Sequence, residues 1–153
     1  MLRLYLIFLF ILLPYKSYAE TTLRMANWLP PTHPWVLNIM IPWIKNVYVA
    51  SEGRVKIILL EAPIGPPPAH YNFAVKGIAD ITYGVHNYTA GRFTSTQITE
   101  LPFLSNSSEI LSVAWQRIYM KELLSLDEHK GTHLLGVYTH GPGQLWLNKK
   151  YNS

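Results

Sequence analysis

A short apolar run, Ala79 to Gly84, gives way abruptly to a stretch that displays side chains: His86, Asn87, Tyr88, Thr89 and Arg92. A buried parallel strand that opens into a loop of aromatic and polar groups is the common layout of an α/β ligand site, since such sites gather at the carboxyl ends of strands. The stretch from Gly77 to Phe103 therefore constrains the fold and its use more than any other.

The rest of the chain reads as units arranged around it. Leu23 to Ala26 is a first strand candidate, ending at Asn27 and Trp28. Prolines keep Leu-Pro-Pro-Thr-His-Pro out of regular helix until Pro34, and Thr32 or His33 can cap a helix that starts there. Trp35, Ile39, Trp43 and Val47 recur at helical spacing, with Pro42 set to kink or split the helix and Gly53 to end it left-handed. Val55 to Leu60 is a second strand, β-branched at Val55, Ile57 and Ile58, and His70 to Lys76 a short helix after a proline turn. Asn106 to Glu109 suits a helix start, with Leu111, Ala114, Trp115 and Ile118 as its apolar stripe, and Thr132 to Tyr138 reads as a fourth strand. Strands alternating with helices predict an α/β fold: a mostly parallel sheet flanked by helices.

Four pieces in order carry a resemblance: LRMANWLPPTHP, SEGRVKIILLEAPIGPP, ADITYGVHNYTAGRF and ELPFL. From about Thr22 to about Asn148 the chain resembles the solute-binding proteins of tripartite ATP-independent periplasmic (TRAP) transporters, extracellular solute-binding family 7. The resemblance implies one lobe of a two-lobed, type II periplasmic-binding-protein fold. It implies capture of a small organic acid, a C4-dicarboxylate or related carboxylate, for delivery to TRAP membrane permease subunits that use an ion gradient. It implies a monomeric receptor with no cofactor and no catalysis. Residues 20–140 would be the first lobe, and 141–153 a crossing into a second. Since the family continues through that second lobe, the chain reads as an N-terminal part. The alternative is a truncated lobe that binds nothing and has no transport activity, and one lobe alone should hold an acid poorly.

Residues 1–19 read as a secretory leader: Arg3, an unbroken apolar run from Leu4 to Leu13, and Ser17-Tyr18-Ala19 as a cleavage site, which predicts a periplasmic mature chain from Glu20. Ten apolar residues fall short of the roughly 20 that a membrane span needs. Removing the leader takes away Arg3 and Lys16 and leaves eleven basic and nine acidic residues, a net charge of +2 that does not suggest nucleic acid. The absence of cysteine excludes disulfides, thiolate metal sites and a lipid-modified N-terminal Cys. Enzyme readings lack their parts. Ser105, Ser107 and Ser108 stand in no nucleophile elbow, no Glu lies between two histidines at metalloprotease spacing, and Glu61, Glu100 and Glu109 have no reason to converge.

Seven residues are candidates for ligand contact: Asn27, Trp28, His33, Tyr83, His86, Tyr88 and Arg92. Asn27 can both donate to and accept from a carboxylate, Trp28 can wall a pocket, and each has a bland reading as turn or core residue. Tyr83 and Tyr88 bracket the display loop with a ring and a hydroxyl each. His86 can donate to an anion, and His33 can do so or cap a helix. Arg92 can clamp two oxygens. However, the resemblance implies that the main carboxylate-binding arginine lies in the second lobe, which favours Arg92 as an orienting residue of its own loop. Gly141-Pro142-Gly143-Gln144 stands where some relatives carry a further arginine.

Overall fold

A computed structural model of the chain describes residues 19–101 and 103–141. The leader expected over 1–19, apart from Ala19, and the crossing expected over 141–153, apart from Gly141, lie outside the described residues.

Strand β1 (Thr21–Met25) pairs in parallel with β2 (Val55–Leu59), from Thr21 opposite Val55 to Met25 opposite Leu59. The helix between them begins where His33 Nδ1 accepts the Trp35 N–H at 3.1 Å, the cap that the proline-rich run allows. It passes through a π-helical turn (Val36–Met40) before the regular helix α1 (Ile41–Ala50). Pro42 explains the wide turn. It has no N–H for the carbonyl four residues back, and its ring would crowd that carbonyl; a π turn, in which Ile41 N–H reaches Val36 O, makes room. Gly53 ends the helix at φ +77°, and a Cβ there would lie 3.3 Å from Tyr48 Oη.

The buried face of this helix is only in part the one that the spacing suggested: Trp35 and Val47 pack against the core. Val36 and Met40 are buried and pack with Met25 and Ile57, while Ile39 and Trp43 are exposed. Both registers are apolar, so periodicity alone could not choose between them.

A 3₁₀ turn (Pro67–Ala69) leads into α2 (His70–Val75), as the sequence suggested. The third strand candidate is reduced to a single parallel bridge, Met25 to Ile81, in which Ala26 N–H reaches Ile81 O at 2.9 Å. β1 is too short to pair further because Asn27 turns the chain away: its Oδ1 accepts Leu29 N–H and its Nδ2 donates to Leu29 O, each at 2.9 Å. Asp80 anchors the segment instead, accepting Arg24 N–H at 2.7 Å and facing the Arg24 guanidinium at 3.5 Å.

Ser107 Oγ caps α3 (Ser108–Ile118) by accepting Ile110 N–H at 3.3 Å. Replacing Ser107 with Ala should lower stability by about 1 kcal/mol, readable as a reduced urea midpoint. The helix continues through a π turn (Tyr119–Leu123) and a 3₁₀ turn (Leu124–Leu126). Trp115 and Tyr119 are buried with Val137, whereas Ala114 and Ile118, expected in the stripe, face outward. The fourth strand candidate forms no ladder among the described residues. Thr132 N–H goes to His129 O at 3.0 Å, and side chains of α3 take Val137 N–H, to Gln116 Oε1 at 2.7 Å, and Thr139 N–H just beyond the candidate, to Ser112 Oγ at 2.9 Å. No described strand lies beside it to supply backbone partners. No helix of the described residues is long and apolar enough to cross a membrane.

Candidate functional site

Where β1 ends, three of the seven candidates come together. Asn27 is buried, and its Oδ1 accepts both Leu29 N–H and the Tyr83 hydroxyl, the latter at 2.7 Å. With one Nδ2 hydrogen given to Leu29 O, a single amide hydrogen remains for a ligand. Trp28 stacks on Tyr83 with ring centroids 3.9 Å apart and planes 23° apart. Burial pushes the Tyr83 phenol up to about 12, an effect that the Trp28 and Leu29 backbone offsets in part, so the proton stays on at neutral pH. The result is a rigid aromatic plate next to one free amide donor. Such a plate can receive a flat ring, and the donor can meet an oxygen.

Under the plate lies a residue that the sequence did not single out. His70, at the start of α2, is fully buried, edge-on to Trp28 at 4.5 Å and 5.3 Å from Phe73. Neither ring nitrogen has a hydrogen-bond partner among the described residues. Burial holds its pKa below the ordinary histidine value; the nearby Gly65 backbone, short of bonding geometry, opposes this.

His86 belongs to a second cluster. Its ring stacks on Phe93 at 4.2 Å, and its Nε2 lies 3.2 Å from His129 Nε2. The other ring nitrogen of His129, Nδ1, is 2.9 Å from Tyr119 Oη. Glu128 ties the same two segments together, accepting Ser95 N–H at 2.9 Å and the Thr94 hydroxyl at 3.1 Å. Burial raises the Glu128 pKa, but the hydrogen bonds from Ser95 and Thr94 outweigh it and hold the carboxyl below its ordinary value. Burial first, and the His129 charge second, lower His86 to about 4 against the pull of Glu128. Half-buried His86 thus latches its own loop, and it is not the solvent-exposed loop histidine of the bland reading.

The remaining candidates stand apart. His33 is exposed and spent on the helix cap; Tyr88 is half exposed. The Arg92 guanidinium lies over the Tyr71 ring at 4.3 Å, while Tyr71 Oη donates to Lys130 O at 2.8 Å, an arrangement that orients the loop. Tyr83 and His86 also line a cavity of about 510 Å³ with Phe93, His129, Leu134 and Tyr138. Among the described residues no three His, Asp or Glu side chains are grouped to hold a metal. His129, Tyr119 and Glu128 could not be picked out from the sequence because their roles arise from contacts 10 to 43 residues apart.

No family model matches the chain. It is 29% identical over 135 residues to the outer membrane transporter protein TsaT of Comamonas testosteroni, a match covering 88% of this chain and 40% of that protein. A TRAP periplasmic solute-binding protein of Bordetella bronchiseptica, solved with bound (R)-mandelate and (S)-mandelate, is 39% identical with a TM-score of 0.75, covering 80% of this chain and 39% of its own. A TRAP solute-binding protein of Rhodoferax ferrireducens, solved with copurified benzoate, is 31% identical with a TM-score of 0.73, covering 80% and 38%. The chain thus spans about 40% of the length of these relatives.

Proposed function

Because the chain belongs with the TRAP periplasmic solute-binding proteins and carries part of their type II periplasmic-binding fold, we propose that it helps capture a small organic acid outside the cytoplasm for a TRAP permease. The observation that carries this reading is the Trp28–Tyr83 stack beside Asn27 at the carboxyl end of β1. An aromatic acid suits that plate best: its ring would lie against the aromatic faces while its carboxylate meets the free Asn27 amide hydrogen. The C4-dicarboxylate expected from the sequence resemblance offers the plate no ring, although it could use the same donor. Residues 20–140 would then form one lobe of the receptor, with monomeric behaviour, no cofactor and no catalytic role.

A thermal-shift panel tests this on the natural full-length protein. Benzoate and (R)-mandelate should raise Tm saturably, and succinate should do so less at equal concentration. A panel in which succinate stabilises and neither aromatic acid does would return the ligand to the dicarboxylates. Export is proposed as well, with cleavage after Ala19. Mass spectrometry of the exported protein should find Glu20 at its start; a mature chain that keeps Met1 would refute this.

A further inference from the structure

Gly65, Phe73, His70, Trp28 and Tyr83 form one continuous pile of rings resting on a glycine. A Cβ on Gly65 would stand 2.6 Å from the tip of the Phe73 ring, so glycine is what lets that ring lie against the chain. Phe73 packs at 5.3 Å on His70, which meets Trp28 edge-on at 4.5 Å and 81°, and Trp28 stacks on Tyr83. His70 is fully buried, yet among the described residues both its nitrogens go without partners. Burying such groups unpaired is costly, and an apolar side chain would fill the space without that cost. What an aliphatic side chain cannot supply is a thin flat ring that meets the indole at a right angle.

We propose that His70 is a positioning residue that sets the orientation of Trp28, and thereby the preference of the site for flat aromatic acids over aliphatic ones. This deepens the proposed function and rests on it for the ligand class. The coupling of His70 to Trp28 does not depend on any ligand. Turning Trp28 would break its parallel overlap with Tyr83 and so remove the face on which a ligand ring lies. An extended aliphatic acid relies on hydrogen bonds and would lose little.

The test uses the natural full-length protein labelled with 5-fluorotryptophan, with the Trp28 resonance assigned through Trp28→Phe. In His70→Leu the Trp28 resonance should shift or broaden in the absence of ligand. Benzoate affinity should fall by about tenfold or more while succinate affinity changes by less than about twofold. Phe73→Leu, acting one ring further down, should give a smaller change in the same direction, and it decides the matter if His70→Leu does not fold. An unmoved Trp28 resonance in the folded variants overturns the proposal. So does an equal loss for both acids, which would mark His70 as merely structural. If the unmutated protein binds neither acid, the proposed function and the specificity role both fall, and the resonance alone judges the coupling.

Discussion

Lowering the pH from 7 to 4 is expected to cost the fold up to about 3 kcal/mol through His86 alone, and more with its neighbours. His86 Nε2 and His129 Nε2 lie 3.2 Å apart, so one must accept what the other donates and both cannot carry a proton there. Burial and this pairing lower His86 from 6.5 to about 4, and burial lowers His129 as well. A histidine with a depressed folded pKa is neutral in the fold and takes up its proton more readily when unfolded. Between about pH 6.5 and 4 the unfolded chain therefore binds more protons, and stability falls as the pH drops through that window. Glu128, held low by Ser95 and Thr94, adds to the loss in acid, because its stabilisation disappears once it is protonated. Urea midpoints at pH 7, 5.5 and 4 measure the effect, and His86→Gln should flatten the slope. Stability that stays level over this range, or an equal slope in the variant, would mean that the two rings are not paired as described.

Met40→Ala should be the most damaging single truncation in the first core, at about 2–5 kcal/mol. Met40 is 2% exposed, lies at the end of the π turn, and packs with Met25, Val36 and Ile57 where the helix crosses the two strands. Truncating it leaves a cavity where buried side chains hold helix and sheet together, and Pro42 limits how far the helix can settle inward. Met40→Leu, which conserves volume, should cost less than about 1.5 kcal/mol. Chemical denaturation of both variants should show a shifted midpoint at unchanged slope. A loss under about 1 kcal/mol for Met40→Ala would put the core elsewhere, on the side of the helix that carries Ile39 and Trp43.

What could be read from the sequence was what local chemistry decides. Pro42 announced a distorted helix, Gly53 its left-handed end, the stretch from Asn106 to Glu109 a helix start, and the β-branched run from Val55 a strand, and all four stand in the structure. The inward face of the first helix was legible only at Trp35 and Val47, because apolar residues occupy two adjacent registers. The third and fourth strands were not legible either. A strand exists only through its neighbour, and Asn27 bends β1 away from one while α3 side chains take the amides near the other. The same division holds at the site. Asn27 and Trp28 could be named because they follow a strand-like run where the resemblance puts ligand-facing residues, and Tyr83 because it stands near the end of another; the structure brings the three together. His70 could not, since nothing around it in the chain foretells burial without a partner.

The proposed function rests on the Trp28–Tyr83 plate as the wall that an organic acid would meet. Calorimetric titration of the natural full-length protein with benzoate, beside Tyr83→Ala, is the most direct test of that role. Binding should be saturable, with a negative heat-capacity change as rings are buried, and Tyr83→Ala should weaken it at least about tenfold, or roughly 1.4 kcal/mol. Benzoate that fails to bind, or that binds a folded Tyr83→Ala variant as tightly as the original, would contradict it.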